Sequence, residues 1–298
     1  MAEVSEGAVA RLRTGKPVPL PTGGRLSMEG AGRITAEQRA RVVVLAGPQR
    51  SGKTTLLAEI YSQYQHGPFA GYAFAGSASL MAFEQCCHES RAQSGLELPT
   101  TTRTSRAETG MLHLALLPDA GGGIVQILLS DVSGEFYEAV LNLPQQAAAI
   151  PALSRADAVS LVIDGEGLAE LRERNKVKYD VELLLDALLE HGNLRPDTTI
   201  DPVIAKWDCV AAAGQDAVKF AKSLAQDVVA RVSTSRPSSS VLTCARSLRD
   251  ASVKSGYGLD DLLHRWTESS TAGDLLPAYA VPAVTPIRAM DRSKSFES

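Results

Sequence analysis

One stretch of the sequence has the residue types and the spacing needed to bind phosphate groups. Residues 47–54 have the sequence GPQRSGKT, which fits the pattern G-x-x-x-x-G-K-[ST]. The glycines of this pattern let successive backbone N–H groups point inward at phosphate oxygens. The run RVVVLAG before the loop predicts a strand, and TTLLAEIYSQY after it predicts a helix, whose N-terminus favours anions. The stretch therefore predicts a P-loop (Walker A motif) that binds a nucleoside triphosphate.

The side chains of this loop have expected roles in holding a nucleotide and its metal ion. Lys53 is expected to bridge the β- and γ-phosphates, and the Thr54 hydroxyl is expected to coordinate Mg²⁺. Further nucleotide contacts are assigned to the rest of the loop and to the first helical turn, namely Gly47, Gln49, Arg50, Ser51, Gly52 and Thr55. Mg²⁺ is thus the expected cofactor.

A second motif follows a predicted β-hairpin. The runs MLHLALLP and IVQILLSD are separated by DAGGG, a hairpin signal, and the second run leads into DVSG at 131–134. Asp131, at the C-terminal end of a buried strand, can reach Mg²⁺ through a water molecule. Gly134 can present its N–H to the γ-phosphate because no Cβ stands in the way. Asp131 could instead be a helix N-cap after a strand, but the preceding P-loop and hairpin favour the magnesium role.

Two later segments carry groups that distinguish guanine from adenine. In AKWD, residues 205–208, the Asp208 carboxylate can accept hydrogen bonds from N1–H and the N2 amino group of guanine, donors that adenine lacks on that edge. The aliphatic stem of Lys206 can pack over the ring. In the segment LTCARS the backbone N–H of Ala245 can donate to guanine O6. Together with the first two motifs, these segments predict GTP and GDP as ligands.

A threonine-rich segment stands where a switch loop is expected. The run PTTTRTS, residues 99–105, lies between an insert and the hairpin. Thr104 and Thr101 are candidates for a magnesium ligand that also donates to the γ-phosphate in the triphosphate state. Arg103 could lie over the phosphates as an arginine finger in cis, or it could be a solvated surface residue. The sequence leaves both readings of Arg103 open.

The elements that must position these motifs alternate along the chain. Apolar runs predict strands at 41–47, 111–118, 124–131, 158–164, 202–208 and 240–245. Helical segments separate most of them, and near-continuous apolar strands are typical of a mostly parallel sheet covered by helices on both faces. The hairpin adds one antiparallel strand, so we predict an α/β fold with a six-stranded sheet. We place this domain at 39–269 with an insert at about 68–98, after a flexible N-terminal arm at 1–38 and before a C-terminal tail at 270–298.

Composition and charge argue against several classes of function. The net charge is −4 and no long basic run occurs, so nucleic acid is not expected as the main partner. No apolar run reaches the roughly 20 residues needed to span a bilayer. The N-terminal segment has early acidic residues and no apolar core, so we expect no secretory signal. The 4 cysteines lack C-x-x-C spacing, which favours reduced thiols in a cytoplasmic protein.

The motifs give residues 40–269 a resemblance to GTPases of the translation-factor-related (TRAFAC) class of P-loop proteins. The stretches that carry it are GPQRSGKT, DVSG, AKWD and CAR. Within that class the chain looks closest to the bacterial double-GTPase group, through FAGSASLMAFEQCCHESRAQSG and PTTTRTS. The resemblance implies a Ras-like G domain that acts as a GTP-binding switch with slow hydrolysis, in a multi-component bacterial signalling or conflict (defence) system. It also implies a protein partner, such as a GTPase-activating or effector protein or a second GTPase.

Three residues depart from the pattern of that class. The motif that recognises the nucleotide base (the base motif, AKWD at 205–208 in this chain) usually begins with Asn or Thr, which ties its loop (the base loop) to the P-loop. This chain has Ala205 at that position. Glu135 stands where a glutamine often orients water, and its carboxylate could position water or act as a base, although a triphosphate would repel it. Gln49 stands where small GTPases often have glycine, and its side chain would crowd an arginine finger from a partner. Two alternatives remain open: a pseudo-GTPase module that binds nucleotide without turnover, and a P-loop ATPase or small-molecule kinase.

Overall fold

A computed structural model describes residues 23–92, 110–247 and 252–268, all of which belong to one unit that ends at Glu268. The strands lie at Ala40–Ala46 (β1), Tyr72–Gly76 (β2), Gly110–Pro118 (β3), Val125–Asp131 (β4), Ala158–Asp164 (β5), Thr199–Ala205 (β6) and Val241–Leu242 (β7). The α-helices lie at Met28–Glu37 (α1), Lys53–His66 (α2), Leu80–Ala92 (α3), Gly134–Asn142 (α4), Gly165–Ala169 (α5), Arg174–His191 (α6), Trp207–Ala212 (α7), Gln215–Val232 (α8) and Leu259–Thr267 (α9). Within these ranges, no helix combines the length and the apolar character that crossing a membrane requires.

The strands form a single sheet in the order β2-β3-β4-β1-β5-β6-β7. From β4 to β7 all neighbours are parallel, whereas β3 runs antiparallel to β2 and to β4. The chain passes from β4 across β1 to β5, so the direction of winding changes beside β1. In open α/β sheets, ligands bind at the carboxyl ends of the strands next to such a change.

Helices cover both faces of this sheet. Val42, Val44 and Ala46 of β1 belong to one apolar layer, together with side chains of α1, α4, α6, α7 and α8. Val43 and Leu45 belong to the opposite layer, with α2, α3 and α9, because successive side chains of a strand point to opposite faces. The predicted α/β fold, with helices on both faces and one antiparallel strand, is confirmed.

The described sheet has seven strands instead of the six that the sequence predicts. The additional strand is β2, which pairs with β3 and places Ala73 opposite Leu117. Its sequence YAFAG is short and only partly buried, so it lacks the continuous apolar run of the central strands. This segment is a strand because it pairs with β3, which no local pattern indicates. Two predicted strands end three residues earlier than the sequence predicts: β7 ends at Leu242 and has only two residues, and β6 ends at Ala205, before Lys206 and Asp208.

Part of the segment predicted as a flexible arm is helical and attached to the sheet. The Ser27 hydroxyl caps α1 by accepting a hydrogen bond from the backbone N–H of Gly30 at 3.1 Å, and Ala31 of the helix is buried in the core. Just before the helix, Leu26 exchanges two backbone hydrogen bonds with Met111 of β3, at 2.8 and 2.9 Å. Residues 1–22 and the predicted tail at 270–298 lie outside the described residues.

The attachment of α9 to the sheet depends on Trp266, which gives a first prediction. Its indole Nε1 donates to Ser160 Oγ of β5 at 2.9 Å, and both side chains are buried. The change Trp266→Phe keeps most of the apolar contact but leaves the Ser160 hydroxyl buried without its donor. We expect it to lower the free energy of unfolding by about 1–3 kcal/mol, measured by urea denaturation.

The matched control is Tyr179→Phe on α6, at a side chain that is 60% exposed. This change should alter the free energy of unfolding by less than about 0.5 kcal/mol. Equal losses in the two variants would contradict the packing of α9 described above.

Candidate nucleotide-binding site

The loop between β1 and α2 has the backbone shape of a phosphate cradle. Gly52 has a φ of 103°, in the left-handed region that favours glycine. A Cβ on Gly47 would lie 2.5 Å from the backbone oxygen of Val162 in β5, so glycine is required there as well. The Ser51 hydroxyl donates to the backbone oxygen of Pro48 at 2.9 Å and closes the turn. The predicted P-loop therefore has the strand–loop–helix context that its motif requires.

Lys53 is buried inside this loop. Its Nζ donates to the backbone oxygens of Gly47 and Pro48 at 2.7 and 3.0 Å, and lies 5.6 Å from the centre of the Tyr137 ring in α4. Burial lowers the pKa of Lys53 to about 8, and the nearby charge of Asp131 opposes that shift. The ammonium is thus held at the predicted phosphate site in a poorly hydrated environment.

The D-x-x-G motif contacts the P-loop directly. Asp131 ends β4 beside β1, and its side chain is completely buried. Gly134 is the first residue of α4, and a Cβ there would lie 2.6 Å from the backbone N and Cα of Gln49. Only glycine fits this approach. Glu135 follows in the first turn of α4 and is partly buried.

The base motif also packs against the P-loop. A Cβ on Gly52 would lie 3.2 Å from the Cβ of Ala205, so the small side chain of Ala205 faces the loop at close range. Lys206 has a φ of 52°, which turns the chain out of β6 and into α7. The Trp207 N–H donates to the Thr243 carbonyl at 3.0 Å and joins the AKWD segment to the chain that follows β7.

The two segments predicted to recognise the base lie side by side. Asp208 is buried in the first turn of α7. Burial, together with the charge of Asp208, raises the pKa of the neighbouring Cys244 thiol to about 12. Ala245 follows Cys244 and is also buried. The two segments that carry the carboxylate and the backbone N–H expected to bind guanine are therefore neighbours in the fold.

Two carboxylates that the sequence pattern did not indicate hold Lys206. Its Nζ lies 2.9 Å from Asp164 Oδ1 and 2.7 Å from Glu166 Oε2. The hydrogen bond and charge of Lys206 lower the pKa of Glu166. Between the two acids, Gly165 lets the turn after β5 approach β6, because a Cβ there would collide with the Ala205 carbonyl. This turn supports the base loop at the place where the class usually has Asn or Thr. The sequence signal for this contact is the position of Asp164 at the carboxyl end of a predicted strand.

The residues at the phosphate end fit Mg²⁺. Oδ2 of Asp131 accepts a hydrogen bond from Arg25, whereas Oδ1 is buried and has no hydrogen-bond partner among the described residues. Thr54 adds a hydroxyl in the first turn of α2. Mg²⁺ takes hard oxygen ligands and binds through one or two protein groups, water and substrate phosphates. In the described ranges, no cluster of three or more His, Cys, Asp or Glu side chains could hold a metal ion without such phosphates.

Most of the predicted site residues meet at one edge of the sheet. The residues that lie at the carboxyl ends of β1, β4, β6 and β7, or directly after them, are Gly47, Gln49, Arg50, Ser51, Gly52, Lys53, Thr54, Thr55, Asp131, Gly134, Glu135, Lys206, Asp208 and Ala245. Thr101, Arg103 and Thr104 lie outside the described residues. The individual roles of all these residues stay predictions.

A family model supports the assignment that the motifs suggested. The model described as Double-GTPase 2 matches residues 41–267, which is most of the chain. The chain belongs to the Double-GTPase 2 family. The resemblance to double-GTPases inferred from the motifs is therefore confirmed, and the chain is a P-loop protein with a G-domain fold. No curated protein matches this sequence.

Solved structures show similar folds at low sequence identity. Roco2 RocCORdC of Methanosarcina barkeri bound to GDP is 15% identical (TM-score 0.39), over 76% of this chain and 48% of that chain. The signal recognition particle receptor SRb-GTP/SRX complex from Chaetomium thermophilum is 15% identical (TM-score 0.44), over 77% and 97%. The S. cerevisiae Ski7 GTPase-like domain, bound to GDP and inorganic phosphate, is 12% identical (TM-score 0.45), over 80% and 51%. This chain thus spans about half the length of the first and third proteins, and at these TM-scores the likeness is no guide to activity.

The environment of Lys53 predicts an unusual titration. Burial disfavours the charged ammonium, so Lys53 should titrate near pH 8 in the protein without nucleotide, well below the ordinary 10.5. Phosphate groups favour the charged form, so GDP should raise this pKa. The measurement is ¹³C NMR of protein labelled at lysine Cε, across pH 6 to 11.

Lys53→Met identifies the resonance, which should be missing from that variant. A midpoint that stays near pH 8 when GDP is bound would contradict the predicted contact between Lys53 and the phosphates.

Proposed function

We propose that this protein is a GTP-binding molecular switch with slow, Mg²⁺-dependent GTP hydrolysis. The observation that carries the proposal is the position of Asp208, a buried carboxylate next to Cys244, the residue before Ala245, in a base loop that packs on the P-loop. A carboxylate there matches the two donors on the guanine edge. Membership of a family described as Double-GTPase 2 supports the same conclusion.

The side chains at the phosphate end have separate tasks in this proposal. Lys53 places a positive charge among the phosphate oxygens, and Gly134 presents its N–H beside Gln49 of the P-loop. Thr54 and Asp131 are the groups that would hold Mg²⁺, which would neutralise charge on the phosphates. Glu135 positions the attacking water from the first turn of α4. Arg103, Thr101 and Thr104 would complete the site from the preceding loop.

The setting that we propose is a multi-component signalling or defence system in the bacterial cytoplasm. The partner is a GTPase-activating or effector protein, or a second GTPase. The Gln49 side chain supports a partner that stimulates hydrolysis without supplying an arginine finger. Its Cγ lies against Gly134, 2.9 Å from the position that a Cβ on that glycine would take, so it would crowd an arginine from outside.

A second candidate is a nucleotide-binding module that does not turn over. One observation favours it: the carboxylate of Asp131, which a magnesium-bound water is expected to contact, already forms an ion pair with Arg25. Turnover measurements therefore decide between the two candidates.

The base preference is the most direct test of the site. Wild-type protein should bind GDP more tightly than ADP, because adenine lacks the two donors that guanine presents to the buried Asp208 carboxylate, at a cost of about 1–3 kcal/mol. Asp208→Asn should weaken GDP binding and improve binding of xanthosine diphosphate, whose C2 oxygen accepts a hydrogen bond from the new amide. Isothermal titration calorimetry with the three nucleotides measures these affinities.

Asp216→Asn removes the same charge from an exposed position in the first turn of α8 and should leave all three affinities unchanged. Equal affinities of the wild type for GDP and ADP would reject guanine recognition and favour the ATPase alternative.

Hydrolysis is tested by single-turnover release of phosphate from GTP. We expect a wild-type rate on the order of 10⁻⁴ to 10⁻² s⁻¹, the range from unassisted GTPases to those with an arginine in cis. Glu135→Ala should slow release at least about tenfold without weakening GDP binding, because it removes only the group that positions water. Arg103→Ala should lower the rate toward the slow end if Arg103 acts in cis.

Glu190→Ala, at a solvated carboxylate near the end of α6, is the control and should hydrolyse GTP at the wild-type rate. Wild-type release no faster than in buffer, with no partner able to raise it, would reject the switch and leave the binding module.

A further inference from the structure

The buried carboxylate of the D-x-x-G motif is already paired with a cation from the N-terminal segment. Arg25 Nη1 donates to Asp131 Oδ2 at 2.7 Å, and Nη2 donates to Cys86 Sγ at 3.6 Å. The side chain of Asp131 is 0% exposed and that of Arg25 is 18% exposed, so water screens this ion pair weakly.

The backbone on both sides of Arg25 holds the guanidinium in this position. On one side, Leu26 exchanges hydrogen bonds with Met111 in β3 at 2.8 and 2.9 Å. On the other side, the Gly23 carbonyl accepts from the Ala82 N–H in α3 at 3.0 Å. The backbone on both sides of Arg25 is therefore hydrogen-bonded to the sheet or to α3, and this attachment directs the side chain at Asp131. A long side chain on the surface that reaches a carboxylate has no such support.

The Asp131 carboxylate is also the group to which the proposed function assigns a contact with hydrated Mg²⁺. We propose that Arg25 is part of the magnesium site and lowers the affinity of that site for Mg²⁺. The inference rests on the proposed function, in which a water molecule of hydrated Mg²⁺ donates to Asp131. Two cations would then share one negative charge. Because like charges repel each other strongly where water is excluded, each cation weakens the binding of the other.

The two oxygens of Asp131 show how both cations can be present together. Oδ2 is bound by Arg25, while the buried Oδ1 has no partner in the described part of the chain. A magnesium-bound water can donate to Oδ1 without displacing the guanidinium. Arg25 therefore sets the strength of magnesium binding without blocking it, and movement of residues 23–27 would change that strength.

The test is the Mg²⁺ affinity of the full-length protein in complex with GDP, measured by calorimetric titration with MgCl₂. Arg25→Gln removes the competing charge and should tighten Mg²⁺ binding about tenfold, equivalent to about 1.4 kcal/mol. Arg25→Lys keeps the charge and should stay within about threefold of wild type. Arg33→Gln is the matched control: its side chain pairs with Glu29 on the exposed face of α1, so the Mg²⁺ affinity should not change.

A second measurement uses the wild type alone and serves if Arg25→Gln does not fold. Coupling between two sites is reciprocal, so Mg²⁺ should loosen the attachment of Arg25. Amide hydrogen exchange at Leu26 and Met111 should therefore be faster in the Mg²⁺·GDP complex than in the GDP complex in EDTA. Unchanged or slower exchange would overturn the inference.

The outcomes separate this inference from the proposed function. If wild type binds GDP and folded Arg25→Gln has unchanged or weaker Mg²⁺ affinity, the role of Arg25 is wrong while guanine-nucleotide binding stands. A wild type that binds no guanine nucleotide would overturn both, since the role of Arg25 depends on a bound nucleotide.

Discussion

The parallel pairing of β1 with β4 on one side and β5 on the other determines where every part of the candidate site lies. Val44 is opposite Ser130 of β4 and Val159 of β5, so β1 and β4 end at nearly the same level, while β5 continues three residues past the end of β1, to Asp164. The P-loop after β1, the D-x-x-G motif after β4 and the turn after β5 therefore meet at one edge. A shift of β1 by one residue would also exchange its two buried faces, which the apolar layers on both sides oppose.

Contacts between these loops depend on glycines, which have no side chain, more than on polar bridges. The P-loop meets α4 at Gly134 and meets the base loop at Gly52, and the turn after β5 reaches the base loop at Gly165. At each position a Cβ would be too close to the neighbouring loop. This packing explains how Ala205 can replace the usual Asn or Thr: backbone contact and the carboxylates around Lys206 brace the loop instead.

Each buried or partly buried cation of the site has its own anionic or dipolar partner. Lys53 donates to loop carbonyls, Lys206 contacts two acids, and Arg25 pairs with Asp131. Such pairing is expected, because an unpaired charge that loses water is costly. The fold alone would not indicate a function, since one fold supports many activities. The position of Asp208, together with family membership, directs the proposal to guanine nucleotides.

Those parts of this protein that depend on local patterns can be predicted from the amino-acid sequence. The four motifs, the central apolar strands, the hairpin and the two-sided α/β architecture all follow from residues that lie close together in the chain. Strand β2, the attachment of residues 23–38 and the exact end of β6 needed the tertiary structure. Arg25 and Asp131 are 106 residues apart, and Lys206 lies 40 residues from Glu166. Such partners meet only after the sheet forms. A single carboxylate or arginine belongs to no repeating sequence pattern from which its partner could be predicted.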